Sequence, residues 1–310
     1  TQAEDTTNLD LITKELAKEE FDFGIQTGDA IDNGGNYSHW AKINEIFAGD
    51  YLSTKPMVHV LGNHEYYGDE DGSASADYFV LPDSENGVAP PYYSVDYENV
   101  YVAVINYAGA DGYKKAAEWL KKDALETEAD WKIVSMHQPA YYTNPIGSSD
   151  AVQNVLVPAF DEVGIDVVFS GHDHSYARTK PMTAGTVDED GTVYYICGST
   201  GEKSYDIVFN ESFNFDVTSD NFNATYLTVN ATTDELEIKS YDYAVYDDGQ
   251  TDVNLIDSYK VISKCSSTGH QNVFSSDKLE CSVCGKRTSI EGFTGFVNEK
   301  DTGRLMRFTE

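Results

Sequence analysis

The chain has 310 residues, enough for one large domain or a large domain with a small attachment. Its 53 acidic against 21 basic residues give a formal charge of −32, a field that repels a nucleic-acid backbone and an anionic membrane surface. Hydrophobic residues at 40% and aromatics at 13% exclude wholesale disorder, and no stretch reaches the roughly 18 consecutive apolar residues of a membrane span.

In chain order, residues 6–19 place Leu9, Ile12 and Leu16 at helical spacing among charges and predict an amphipathic helix. Residues 21–27 predict a strand running into Gly28-Asp29. A helix is expected over 37–47, and 57–61 (MVHVL) has the character of a short buried strand ending at Gly62-Asn63. Strands at 92–97 and 100–106 are expected to pair across a turn at Glu98-Asn99. A helix over 113–125 precedes a strand at 131–136 that runs into His137. A helix over 151–163 precedes a strand at 166–170 that runs into Gly171-His172. Segments 193–197, 225–229 and 236–243 add mainly antiparallel strands. The alternation predicts an α/β fold.

The character changes near Ser263. Residues 264–310 hold three of the four cysteines, are punctuated by glycine and lose helical periodicity. Two units are therefore expected, 1–263 and a small Cys-rich module over 264–310. Four N-x-S/T triplets, at Asn36, Asn210, Asn223 and Asn230, fit an extracellular or cell-surface protein, although Asn, Ser and Thr are common enough here to produce them by chance.

The polar residues with chemical potential all follow short apolar strands. They form the clusters Gly28-Asp29, Gly62-Asn63-His64-Glu65, Met136-His137 and Gly171-His172-Asp173-His174. At the C-terminal edge of an α/β sheet, strand ends and loops converge on ligands. Carboxylate, amide oxygen and several imidazoles together suit Mn, Fe or Zn. In so acidic a chain, phosphate chemistry would need such a local cation. Glycine opens three of the clusters, letting the backbone turn sharply off the strand end.

The order GD, GNHE, MH, GHDH resembles the calcineurin-like metallophosphoesterase superfamily, and GHDHSYAR over 171–178 resembles its purple acid phosphatase branch. The similarity covers roughly residues 1–205. GNHE with GHDH in one α/β pattern is a specific signal, whereas GD alone would carry little. The resemblance implies layered β-sheets flanked by helices, the metallophosphoesterase sandwich. It also implies hydrolysis of small phosphomonoesters by a hydroxide held between two divalent or trivalent metal ions. It makes Asp29 the bridging ligand, gives Asn63, His137 and His172 to one metal, and gives His174 to the other. It makes His64 the catalytic residue beside the phosphate, donating a hydrogen bond or a proton to the departing alkoxide. Glu65 and Asp173 are expected to orient imidazoles.

Two departures bear on that expectation. The purple branch has a tyrosine three residues after the bridging aspartate, where this chain has Asp32. The tyrosinate colour is expected to be missing, and Asp32 is left open between a metal ligand and a neighbour that orients one. The family's first strand also ends in an aspartate that binds the metal shared with His174, and no such strand precedes the first helix here. Thr1-Gln2 resembles the tail of that motif, so the strand and its aspartate are expected just upstream. A phosphodiesterase or nucleotidase of the same superfamily, and a non-catalytic binding protein on a degenerate scaffold, are the competing functions.

Elsewhere, His59 is expected in the core or behind a metal ligand, Arg178 in a structural ion pair rather than on a phosphate, and Trp119, Tyr141 and Tyr142 in packing, the two tyrosines with pocket lining as the alternative. Cys197 is expected as a buried free thiol. Cys265, His270, Cys281 and Cys284 have the spacing of a tetrahedral structural zinc site, with disulfide pairing as the alternative. The C-terminal module is a candidate for binding a surface or a protein partner.

Overall fold

The computed structural model describes residues 2, 6–51, 53–82, 89–145, 150–201, 203–208, 210–219, 223–246, 250–265, 270–275, 277–291, 293–300, 302 and 304–308. Helix α1 (Thr7–Leu16) leads to strand β1 (Gly24–Gln26), helix α2 (Tyr37–Ile46), strand β2 (Met57–His59) and the short α3 (Ser73–Ala76). Strands β3 (Tyr92–Tyr97) and β4 (Val100–Ile105) form the expected antiparallel pair, followed by α4 (Ala110–Asp123) and β5 (Trp131–Met136). Next come α5 (Val157–Val163), β6 (Val167–Ser170), β7 (Tyr176–Thr179), the two-residue strands β8 (Met182–Thr183) and β9 (Thr186–Val187), and β10 (Val193–Cys197). Strands β11 (Phe215–Ser219), β12 (Ala224–Ala231), β13 (Glu235–Val245) and β14 (Thr251–Ile262) follow.

The helix expected over 151–163 is present, but its Val152–Leu156 stretch is π-helical before α5 begins. Pro158 explains the change of pitch, because it cannot donate the hydrogen bond that a regular helix needs at that point. The long strand β14 was not anticipated. It lies at the edge of its sheet and most of its residues are at least partly exposed, so its sequence carries little apolar alternation.

The largest sheet has seven strands in the order β11-β7-β10-β6-β5-β4-β3. Its centre, β10, β6, β5 and β4, is parallel, and its flanking strands are antiparallel. All six residues of β4 and all six of β5 are buried, as expected of strands covered on both faces. Period-two alternation divides β4 between two cores. Tyr101, Ala103 and Ile105 pack with α4 and α5, whereas Val100, Val102 and Val104 face a second layer. That layer comprises the parallel pair β1-β2 and the antiparallel sheet β12-β13-β14. On its far side Leu9, Trp40, Ile43 and Phe47 form a further core. The architecture is thus a layered α/β sandwich.

Between β1 and β12 runs a slot of about 680 Å³, lined along its length by residues of both strands. Among the described residues, β1 pairs in a ladder only with β2 and β12 only with β13, so each presents one edge that no strand pairs, β12 having there the single bond from Thr225 N–H to the Ser199 carbonyl (2.8 Å). One end of the slot reaches Asp29, His172 and His174, and the other reaches Glu19, Glu20 and Asp22.

After β14 the chain forms five short strands, β15 (Asn272–Ser275), β16 (Lys278–Cys281), β17 (Arg287–Ser289), β18 (Gly295–Asn298) and β19 (Leu305–Phe308). They build an antiparallel three-stranded sheet and a hairpin. No described helix is long and apolar enough to cross a membrane.

Candidate metal centre

The ends of β1, β2, β5 and β6 converge, and each carries its motif. Three of the residues so placed hold left-handed backbone: Asp29 (φ 54°), His172 (φ 71°) and His174 (φ 51°). Outside glycine this conformation is uncommon, and at clustered polar residues it marks a functional turn. The glycines beside them are needed for close approach. A Cβ on Gly28 would lie 2.4 Å from His137 Nδ1, and one on Gly62 would lie 2.2 Å from Asp29 Oδ1.

His137 is the hub. Its Nδ1 donates to the Thr27 carbonyl (2.9 Å), which turns the Nε2 lone pair inward. Around that single nitrogen lie Asp29 Oδ2 (3.1 Å), Asn63 Oδ1 (3.2 Å) and His172 Nδ1 (3.1 Å). One ring nitrogen has one lone pair or one hydrogen, so it cannot satisfy three partners. Separations near 3 Å between donors are what a shared cation with bonds of about 2.1 Å produces. Ligand atoms of Asp29, His137 and His172 all lie within 4.8 Å of one another. The donor set therefore fits a metal ion.

The surroundings hold these donors in place. Asn63 Nδ2 donates to Tyr67 Oη (2.9 Å), which leaves the amide oxygen facing His137. The His64 backbone N–H donates to Asp29 Oδ1 (3.0 Å). Burial would raise the Asp29 carboxyl, but the His137 imidazole and the hydrogen bonds around it hold it well below the ordinary carboxylate range.

His174 stands apart from this cluster. Its Nδ1 donates to the Lys203 carbonyl (3.0 Å), and its ring stacks on Tyr205 with centroids 4.8 Å apart. Burial pushes its pKa down to about 3, so the ring is neutral and able to offer a lone pair. His64 lies on the other side, with Nε2 3.9 Å from Asp29 Oδ2 and Nδ1 donating to the Asp32 carbonyl (2.8 Å). The Asp32 carboxylate faces that ring at 3.4 Å and is not among the clustered ligand atoms.

Glu65 and Asp173 differ from expectation, because both bind backbone rather than imidazole. Glu65 accepts from the N–H groups of Asp29 (2.9 Å), Ala30 (2.7 Å) and Gly62 (2.6 Å), tying two motifs together. Asp173 accepts from Thr143 N (2.6 Å) and Asn144 N (3.1 Å). Arg178 is bound to Asp257 (2.6 Å) and Asp216 (3.0 Å), away from the centre. His59, Tyr141 and Trp119 are packing residues, stacked or edge-on against Phe79, Tyr194 and Tyr92.

A cavity of about 310 Å³ opens over the cluster, walled by His64, Tyr67, Tyr107, Lys203 and Tyr205. Sequence reasoning missed three contributors. Tyr67 sits within the GNHE loop, four residues after Asn63, a spacing that could have suggested it. Gln2 falls in the tail of the expected upstream motif but has no role assigned by it, and Lys203 carries no motif; Gln2 Nε2 lies 2.8 Å from His64 Nε2, and Lys203 Nζ donates to Gln2 Oε1 (3.2 Å). Thr1 of the expected upstream motif is outside the described residues.

The family model for calcineurin-like phosphoesterases matches residues 3–176, more than half of the chain. The chain belongs to the calcineurin-like phosphoesterase family. Within this family it is similar to Arabidopsis thaliana purple acid phosphatase 21, at 26% identity over 61% of this chain and 46% of the relative. It is also similar to purple acid phosphatase 18 of the same plant, at 28% identity over 49% of this chain and 37% of the relative. The chain thus spans less than half the length of these relatives. A purple acid phosphatase from yellow lupin (Lupinus luteus) seeds shares the fold, with a TM-score of 0.65 at 19% identity over 83% of this chain and 48% of that one.

Proposed function

We propose that the chain is a metal-dependent phosphoesterase acting on small phosphomonoesters. The observation that carries this is the gathering of three further donors around His137 Nε2 at 3.1–3.2 Å. Asp29, Asn63, His137 and His172 would hold one ion, and Asp29 with His174 part of the shell of a second. When bound, the pair supplies the positive charge that neutralises phosphate and activates the attacking water. Glu65 and Tyr67 keep the donors in position. His64, protonated at Nε2 and released from the Gln2 amide that now sits against that nitrogen, would donate to a phosphoryl oxygen or to the leaving alkoxide. Lys203 adds a cation at the cavity wall, suited to the dianion of a monoester. The purple branch's tyrosine is replaced by Asp32, so the metal-loaded protein has no tyrosinate colour.

We infer also that one extended segment fills the slot between β1 and β12 and brings a further carboxylate to His174. Support comes from two unpaired strand edges and from the path of the chain. The Gln2 N–H donates to the Asp29 carbonyl (3.0 Å), which places Gln2 at the metal centre. A segment preceding Thr1 would leave the slot there. The amides of β1 and β12 that face the slot, away from β2 and β13, should exchange rapidly in this chain and become protected in one extended upstream; unchanged exchange would contradict the inference.

Monoester preference is tested by comparing an aryl phosphomonoester with a bis-aryl phosphodiester, using metal-loaded protein. Higher kcat/KM on the monoester is expected, and a reversed preference would move the assignment to the phosphodiesterases.

A further inference from the structure

Four potential ligands outside the metal centre gather at the start of the C-terminal module. Ligand atoms of Cys265, His270, Cys281 and Cys284 all lie within 4.8 Å of one another. Cys265 Sγ is 3.5 Å from Cys281 Sγ, and Cys284 Sγ is 3.4 Å from His270 Nδ1. We propose that these residues bind one structural zinc ion, which closes the module and fastens it to the loop before β5.

The geometry favours an ion over a crosslink. A tetrahedral shell with bonds of about 2.3 Å separates its sulfurs by about 3.8 Å, close to the spacing here. A disulfide would engage two thiols and leave the third thiol and the imidazole with no reason to converge. The backbone is arranged for thiolates: the N–H groups of Gln271 (3.3 Å) and Val283 (3.4 Å) both donate to Cys281 Sγ. The turn between Cys281 and Cys284 is closed by Gly285 N–H donating to the Cys281 carbonyl (2.9 Å). Gly285 holds φ +76°, which a side chain would resist.

The module also needs the ion. Among those of its residues whose burial is described, Cys265, Leu279, Cys281 and Val297 are the buried apolar groups, too few for a core of its own. Attachment to the body is polar and centred on residues 125–130. Lys286 Nζ meets Asp130 Oδ1 (2.5 Å), Lys278 Nζ meets Glu126 Oε2 (3.0 Å), and Ser289 N–H donates to Glu128 Oε1 (2.8 Å). His270 presents its second nitrogen, Nε2, to the same Asp130 carboxylate at 3.9 Å. That separation is too long for a hydrogen bond, so the carboxylate acts on the imidazole through charge alone. Asp130 immediately precedes β5, whose far end carries His137, so the zinc module holds the base of a strand that serves the metal centre.

The test uses the full chain produced with zinc and carrying Asp29→Asn and His172→Ala, so that metal in the other centre does not interfere. Native mass spectrometry should find one zinc ion that survives dialysis, and denaturation with chelator but no reductant should release four reactive thiols. Adding Cys281→Ser and Cys284→Ser should remove that zinc. Absence of zinc, zinc indifferent to those substitutions, or a mass two hydrogens short with only two reactive thiols would overturn the proposal. Should the doubly substituted chain not fold, Cys284→His keeps four ligands and decides the matter after cobalt substitution. Thiolate-to-cobalt absorption should fall in the ratio of three thiolates to two, and an unchanged spectrum would refute the site.

Discussion

Glu65 is wholly buried, yet both its oxygens accept from backbone N–H groups that belong to different metal-binding motifs. Burial and the Asp29 charge push its pKa up to about 7, while those N–H groups favour its ionised form. Glu65→Gln would set an amide donor against backbone donors. Metal affinity or activity should fall by about 10- to 100-fold, measured by metal titration and turnover. His59 makes a separate case. It is buried, stacks on Phe79 at 4.0 Å, and neither ring nitrogen has a hydrogen-bond partner among the described residues. Burial lowers its pKa from 6.5 to about 3. A depressed histidine contributes stability above its unfolded pKa, and that contribution is lost as pH falls from about 6.5 toward 3. His59→Phe should therefore be neutral or stabilising at pH 7 and should flatten the acid limb of stability, followed by denaturant unfolding across that range.

At the scale of elements, strand ends were legible and loops were not. The strands running into His137 and His172 announce themselves because burial on both faces favours short, mainly apolar runs, and Gly171 after the second run marks its turn. The 198–210 loop has no period, so nothing in it points to Lys203 or Tyr205. The role of Glu65 was equally hidden, since its partners are main-chain N–H donors up to 36 residues away. Arg178 on β7 could be assigned to an ion pair but not to its partner. Asp257 on β14 lies 79 residues on, in a strand whose exposure erased its pattern. Arg178 is 3% exposed and also lies 4.3 Å from the Tyr259 ring. Arg178→Met strands the buried Asp257 carboxylate and should cost about 3–5 kcal/mol in denaturant unfolding. A loss under 1 kcal/mol would show that the pair is dispensable to the sheet.

For the whole molecule, the charge of −32 opposes the anionic substrate that the centre is proposed to take. Long-range repulsion slows encounter and is screened by salt, with a Debye length near 30 Å at about 0.01 M and about 8 Å at 0.15 M. The kcat/KM for a phosphomonoester should therefore rise a few-fold between those salt concentrations, the opposite of a steered enzyme, with kcat little changed. A fall over the same range would locate a positive field at the cavity mouth stronger than Lys203 alone suggests. The central claim is that the donors around His137 hold a metal that hydrolyses phosphate esters. It is tested most directly by aryl phosphate hydrolysis with metal-stripped protein resupplied with Mn, Fe or Zn, beside the Asp29→Asn, His172→Ala variant. Turnover that requires metal and vanishes in the folded variant is predicted. Turnover indifferent to metal or to the substitutions, or absent with every metal, would contradict the account.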